Sequence, residues 1–163
     1  MNIFVLDLTP SLAAEYQCDR HVVKMLLESC QLFSSVKNKL GYSTTYKPTH
    51  GNHPCTLWAG QSKQNYLWLL DHSRALYQEY TKRYYKIHKC QALVDGELSD
   101  IPNGLSDTGL TTFAQAMPDQ YRVPNDPVTA YRNYYLGEKA GFAKWKLGNV
   151  PEWWTNKALV GCV

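Results

Sequence analysis

The chain lacks the short signatures that assign an enzyme on sight. It has no paired Cys-x2-Cys, no Walker loop, no dinucleotide-binding glycine fingerprint, no GxSxG elbow and no HExxH helix, so the commonest phosphate-cradling, acyl-transfer and zinc-protease chemistries have no anchor. No stretch approaches the roughly 18–20 apolar residues of a membrane span, and the opening "MNIFVLDLTP" has neither a basic flank nor a cleavage site. A soluble, cytoplasmic protein is expected. The five cysteines, at 18, 30, 55, 90 and 162, are odd in number and scattered through a chain large enough not to need staples. That argues for reduced thiols over a disulfide framework. Internal repeats and low-complexity segments are absent too.

What is present suits one compact domain, taken here as residues 1–163. Apolar residues make up 44% and charged residues 19%, enough burial to offset conformational entropy and too little charge for a disordered chain. The net charge of +3 says little, but its distribution is uneven. Lys82, Arg83, Lys86 and Lys89 crowd together without an acid, whereas residues 91–120 carry five acids and no Lys or Arg.

Periodicity predicts a mainly α fold: a bundle of about three main helices, with a short N-terminal extended segment and a long ordered loop. "NIFVL" (2–6) reads as a buried strand or an extended arm. Ser11 is a candidate N-cap for a first helix, interrupted near Gln17 to Asp19, whose apolar positions Val22, Val23, Leu26, Leu27, Cys30 and Phe33 lead to a stop at Gly41. Pro54 suits a first turn, and Ser62 caps a second, long helix with Tyr66, Leu69, Leu70, Tyr77, Tyr80, Tyr84 and Ile87 at spacings of three and four. Residues 91–124 read as the loop. Asp126-Pro127 opens a third helix with Val128, Tyr131, Tyr135, Phe142 and Trp145 as its stripe, weakened by Gly137 and Gly141. "PEWW" (151–154) is expected to pack back on the body and to leave a polar tail.

On the first long helix, at about 100° per residue, Gln17, His21, Lys24, Glu28, Gln31 and Ser35 form one polar stripe opposite Val23, Leu26 and Cys30. Lys24 and Glu28 are an i, i+4 pair, with His21 two turns from Glu28. The stripe is either a solvated face with one helix salt bridge or the wall of a cleft. In a cleft, Glu28 suits a general base, with Lys24 or His21 stabilising developing negative charge.

Cys18-x2-His21, His50-x2-His53-x-Cys55 and His88-x-Cys90 have spacings that zinc uses. Without paired CxxC, and with Pro54 stiffening the middle set, no metal and no cofactor is expected; Asn52 and His53 more naturally order a loop or point His53 into the site. Tyr80, Arg83, Tyr84, Tyr85, Lys86, His88 and Lys89 interleave rings and cations, as do Tyr131, Arg132, Tyr134, Tyr135 and Lys139. Tyr84 and Tyr131 fall on core stripes, while Tyr85 and Tyr134 fall off them and suit stacking on bases, with cations on phosphate. A phosphate-bearing ligand is the inference, with DNA and free nucleotide both open.

At "CDRHVVKMLLES", "NHPCTLW", "YTKRYYKIHK", "FAQAMPD" and "AYRNYYLGEKAGFAKW" the chain resembles a group of small tailed-phage proteins over nearly its whole length. More remotely, the order of an N-terminal arm, a helix with His and Glu seven residues apart, the helix "YLWLL…EYTKRYYKIH" and an aromatic-basic C-terminal region resembles phage pyrimidine-dimer DNA glycosylases of the endonuclease V type. That resemblance implies an all-helical fold in which the protein's own α-amine attacks the sugar carbon of the damaged nucleotide, a helix-borne glutamate assists, and an imine permits strand cleavage. It puts the glutamate on Glu28 and substrate positioning on His21. The family exposes a small residue after losing its initiator Met; here the second residue is Asn2, before which Met is normally retained, so the amine falls to Met1. An α-amine ordinarily titrates at about 7.7–8.0, which leaves part of it unprotonated at neutral pH. Lys24 is the alternative amine if burial lowers its pKa.

The first expectation is thus a DNA-base-excision enzyme, a glycosylase with AP-lyase chemistry, acting on a damaged or modified pyrimidine, in the host cytoplasm if phage-encoded. Glu28, His21, Lys24 and Met1 are its catalytic candidates; His53, Asn52, Arg83, Lys86, Lys89, Arg132, Tyr85 and Tyr134 bind substrate or phosphate. The competing expectation is a counter-defence protein that binds a nucleotide or nucleotide signal without chemistry, with the acidic 91–120 segment as a lid. An inhibitor of a host protein is a third, with no motif of its own.

Overall fold

The computed structural model describes residues 1–156, so the polar tail and Cys162 lie outside the described residues. The fold is all-α: among the described residues there is no strand, and three helices exceed two turns. "NIFVL" is accordingly an arm rather than a strand, and it is threaded through the core, with Ile3, Phe4, Val5 and Leu6 all buried.

Helix α1 (Pro10–Glu15) begins one residue before the expected cap. Thr9 holds the extended N-cap position and Pro10 the first turn, where its missing N–H costs nothing, so Ser11 lies inside the helix. The break expected near Gln17 is real, and α2 (Asp19–Lys39) follows it. Asp19 in the first turn and Lys37 and Lys39 in the last oppose the helix dipole with the correct signs. Val22, Leu26, Cys30 and Phe33 are fully buried, but Val23 and Leu27 are 40% and 37% exposed. The core-facing arc of α2 is therefore rotated away from Val23, which brings His21 and Glu28 inward.

Short α3 (Pro54–Ala59) lies across α2 and α4 (Lys63–Tyr84). Ser62 caps α4 by accepting from the Asn65 N–H at 3.1 Å. Along its length α4 packs on α1 and α2. Its end is set by Tyr85 in the left-handed region at φ 55°, so Ile87 lies beyond the helix and is exposed.

The long loop contains a further short helix, α5 (Gln91–Asp95), and a 3-10 turn at Asp119–Tyr121. It is no lid. Leu98, Leu105, Phe113 and Met117 are buried, the Lys63 N–H donates to the Ser106 carbonyl at 2.8 Å, and Asn65 and Thr111 exchange two hydrogen bonds. The expected third helix is α6 (Pro127–Tyr134), capped by Asp126 accepting from the Thr129 N–H. It runs into a π-helical turn, Tyr135–Lys139, and then stops, so Phe142 and Trp145 belong to the segment after it. Helix α7 (Glu152–Thr155) buries Trp153, as expected of "PEWW".

Two arginines assigned to phosphate are part of this architecture. Arg83 is fully buried: it pairs with Glu79 at 3.0 Å and Asp19 at 3.2 Å and donates to the Gln17 and Glu15 carbonyls at 2.8 Å each. It ties the α1–α2 elbow to α4 and has no donor to spare. Arg132 donates to the Leu6 carbonyl at 2.9 Å, pairs with Asp7 at 3.4 Å and lies over Tyr16 and Trp153. Its work is to fasten the arm to α6.

Candidate active site

The arm delivers its first residues to the polar stripe of α2. Asn2 fixes the delivery: its side-chain oxygen accepts from the Ile3 and Phe4 N–H groups at 2.8 and 3.3 Å, and its amide donates to the Ala116 carbonyl at 2.7 Å. Phe4 then takes φ 57°, a conformation costly for a bulky L-residue, which its burial offsets. Its ring stacks on His21 at 4.4 Å and faces Tyr134 at 6.1 Å.

The result is an amine beside a buried carboxylate. Glu28 Oε2 accepts from the Asn2 N–H at 2.9 Å and lies 3.7 Å from the Met1 α-amine, while Oε1 pairs with Lys24 Nζ at 3.3 Å. Glu28 is 8% exposed, so its contacts with the Asn2 N–H and the Met1 α-amine act in a medium that screens poorly. Lys24 is on the solvent side, its side chain 62% exposed. His21 is buried and hydrogen-bonds the Tyr135 hydroxyl through Nδ1. Burial, then the charges of Lys139, Lys24 and Arg20, push its pKa down to about 3, so the imidazole is neutral at physiological pH.

These groups line one cleft of about 270 Å³ with Phe4, Arg20, Tyr134, Lys139 and Phe142. The cleft is at the small end of ligand pockets and is predominantly polar. The part of the stripe formed by His21, Lys24 and Glu28 is thus a wall rather than a solvated face, while Gln17 is buried on the Ile3 carbonyl and Ser35 borders a different groove. Of the residues expected in a site, Met1, His21, Lys24, Glu28 and Tyr134 come together here. Asn52 borders a separate groove with Ser35 and Pro48. His53 caps α3 by accepting from the Cys55 N–H at 3.1 Å and does not line the cleft. Burial lowers its pKa, helped by the nearby N-terminus. Tyr85, Lys86 and Lys89 form an exposed corner after α4, next to the start of α2 through a His88 contact with the Val23 carbonyl at 3.0 Å.

Among the described residues no group of His, Cys, Asp and Glu is arranged to hold a metal, and Cys18, Cys30, Cys55 and Cys90 are free. The imidazoles that looked like ligands bond instead to the Tyr135 and Thr49 hydroxyls, to backbone N–H groups and to the Val23 carbonyl. Sequence reasoning passed over Asn2, Phe4, Arg20 and Phe142 as site residues. For Asn2 a local signal existed, since an Asn that begins an apolar run suits a side-chain-to-backbone turn; the others become visible only when the arm is folded in.

A carboxylate that holds an amine 3.7 Å away inside a lined cleft can accept the amine's proton and stabilise positive charge on a carbon it attacks. The family model described as pyrimidine dimer DNA glycosylase matches residues 1–91, more than half of the chain. The chain belongs to this family. No curated protein and no solved structure matches it significantly. The matched segment of this pyrimidine dimer DNA glycosylase family member holds the arm, α2 and α4, hence Met1, His21, Lys24 and Glu28. Tyr134, Lys139 and Phe142 on the opposite wall lie outside it. Among the described residues no helix is long and apolar enough to cross a membrane.

Proposed function

We propose that the protein excises dimerised pyrimidines from DNA by attack of the Met1 α-amine on the sugar carbon C1′, with Glu28 as its acid–base partner. The amine forms the N–C1′ bond as the C1′–base bond breaks; the electron pair leaves with the base, and the proton shed by nitrogen passes to Glu28. Opening of the sugar ring gives an imine, which acidifies the proton on C2′. Loss of that proton expels the 3′ phosphate and cuts the strand, which is the lyase step. His21, uncharged, donates or accepts a hydrogen bond near the sugar without competing with the amine for a negative partner. Tyr85, Lys86 and Lys89 contact DNA outside the cleft.

The observation that carries this reading is the 3.7 Å approach of the α-amine to buried Glu28, in the part of the chain that the family model matches. Borohydride added to the protein on duplex DNA containing one pyrimidine dimer should trap a covalent complex, with the adduct mapping to the N-terminal peptide. Glu28→Gln should slow trapping by about 10²–10⁴-fold. An adduct on Lys24 would move the nucleophile to that residue. The absence of any adduct, in protein whose mass shows an unblocked α-amine, would overturn the reading. The same mass measurement identifies the first residue; loss of Met1 would convert the Asn2 nitrogen, 2.9 Å from Glu28, into the amine.

A further inference from the structure

Two cations at the cleft have no acidic partner among the described residues. Among the described residues the other four arginines, Arg74, Arg83, Arg122 and Arg132, each pair with a carboxylate. Arg20 pairs with none and lies 4.8 Å from the centre of the Phe142 ring. Lys139 likewise lacks a carboxylate; its Nζ is 4.4 Å from the centre of the Tyr134 ring and donates to the Tyr134 hydroxyl at 3.2 Å. Both lie close to His21, whose ring stacks on Phe4 at 4.4 Å and meets Phe142 edge-on at 5.5 Å; Lys139 reaches over Phe4 at 5.9 Å and Arg20 lies over Phe142.

Lys139 owes this position to the π-helical turn that it ends. The turn is braced by Tyr121, whose hydroxyl donates to Glu138 at 3.0 Å and whose ring fits against Gly137 so closely that a Cβ there would approach to 2.4 Å. Wide turns of this kind recur at functional sites. Aromatic faces hold a cation in place while leaving its charge unneutralised, ready for an incoming anion. A cleft this small admits a sugar and its phosphate more readily than a pair of linked bases.

We propose that Arg20 and Lys139 clamp the phosphodiester adjoining the attacked sugar, and so act as positioning residues that set C1′ against the amine. The ligand follows from the base-excision reading; the clamp itself lies partly outside the segment matched by the family model, since Lys139 follows residue 91.

The test uses duplex DNA with one pyrimidine dimer, and the same duplex with a neutral methylphosphonate at the adjoining phosphate. Binding is measured against salt, and borohydride trapping at saturating protein. Arg20→Gln and Lys139→Gln should each weaken binding about tenfold and lower the slope of log K against log salt by about 0.9, in protein that melts as the wild type does. Lys139→Arg should restore most of the loss, and trapping at saturation should slow in both Gln variants. The methylphosphonate should weaken the wild type and add nothing to the double variant. A double variant with unchanged slope and trapping rate, or one that still loses affinity to the methylphosphonate as the wild type does, overturns the clamp. Salt-dependent, clamp-dependent binding without any trapped adduct would instead sink the excision reading and leave the clamp standing.

Discussion

At the scale of single residues, the two arginines expected on phosphate, Arg83 and Arg132, were misread because most of their partners are distant in sequence. Arg83 in a basic run looked like a phosphate ligand because its neighbours Lys82, Lys86 and Lys89 are cationic; Glu79 was legible as an i, i+4 partner, but Asp19 and the carbonyls of the α1–α2 elbow were not. Its burial gives a test. Arg83→Met keeps an apolar stem but leaves Asp19 and Glu79, at 15% and 12% exposure, without their shared cation, and removal of one partner from a buried ionic network costs about 3–5 kcal/mol. Urea denaturation at pH 7 should register that loss, and a midpoint equal to wild type would refute it. Gly148→Ala probes the same site without altering a charge, because the added Cβ would lie 2.6 Å from the guanidinium.

At the scale of elements, the three long helices and the polar stripe were legible, because spacing reports directly which positions share a face. Pro54, Ser62, Asp126 and Pro127 marked real ends for reasons of capping chemistry, whereas the cap expected at Ser11 falls inside α1. An extended arm was legible as one of two readings of "NIFVL", but its path to the α2 stripe and the π-turn were not: an irregular segment has no period, and the π-turn is held by Tyr121 from another part of the chain. That gap hid half of the cleft. Tyr85 lies between these cases. It falls off the apolar stripe of α4, as its 91% exposure shows, yet it occupies a left-handed helix end where Gly is the favoured residue. Tyr85→Gly should therefore raise stability by about 1 kcal/mol in thermal melts, since little burial is lost. If the ring stacks on a base, the same variant should bind DNA about tenfold or more weakly. A more stable protein with wild-type affinity would remove Tyr85 from the interface.

For the whole molecule, the buried histidines link the site to acid stability. His21 and His72 are each driven to a pKa of about 3, by burial foremost, from an ordinary 6.5. In the unfolded chain both take up protons as pH falls through 6.5, while the folded protein resists until about pH 3. The unfolded state thus binds more protons throughout that window, and stability falls with falling pH. With about 1.36 kcal/mol per pH unit from each, the slope approaches about 2.7 kcal/mol per unit, and by pH 4.5 the loss reaches about 5 kcal/mol, comparable to the whole stability of many domains. His88 has the opposite sign. Its pKa is raised, chiefly by its hydrogen bond with Cys90, so its contribution is complete below 6.5 and is lost as pH rises through the folded value. It leaves the acid limb untouched. Urea midpoints at pH 7.0, 5.5 and 4.5 should fall in that order, and a flat or rising series would refute the linkage. Since His21 stays neutral wherever the protein is folded, an acid limb in activity near pH 6.5 that follows the urea midpoint reports unfolding. One that persists under strongly stabilising conditions belongs to another group in the cleft.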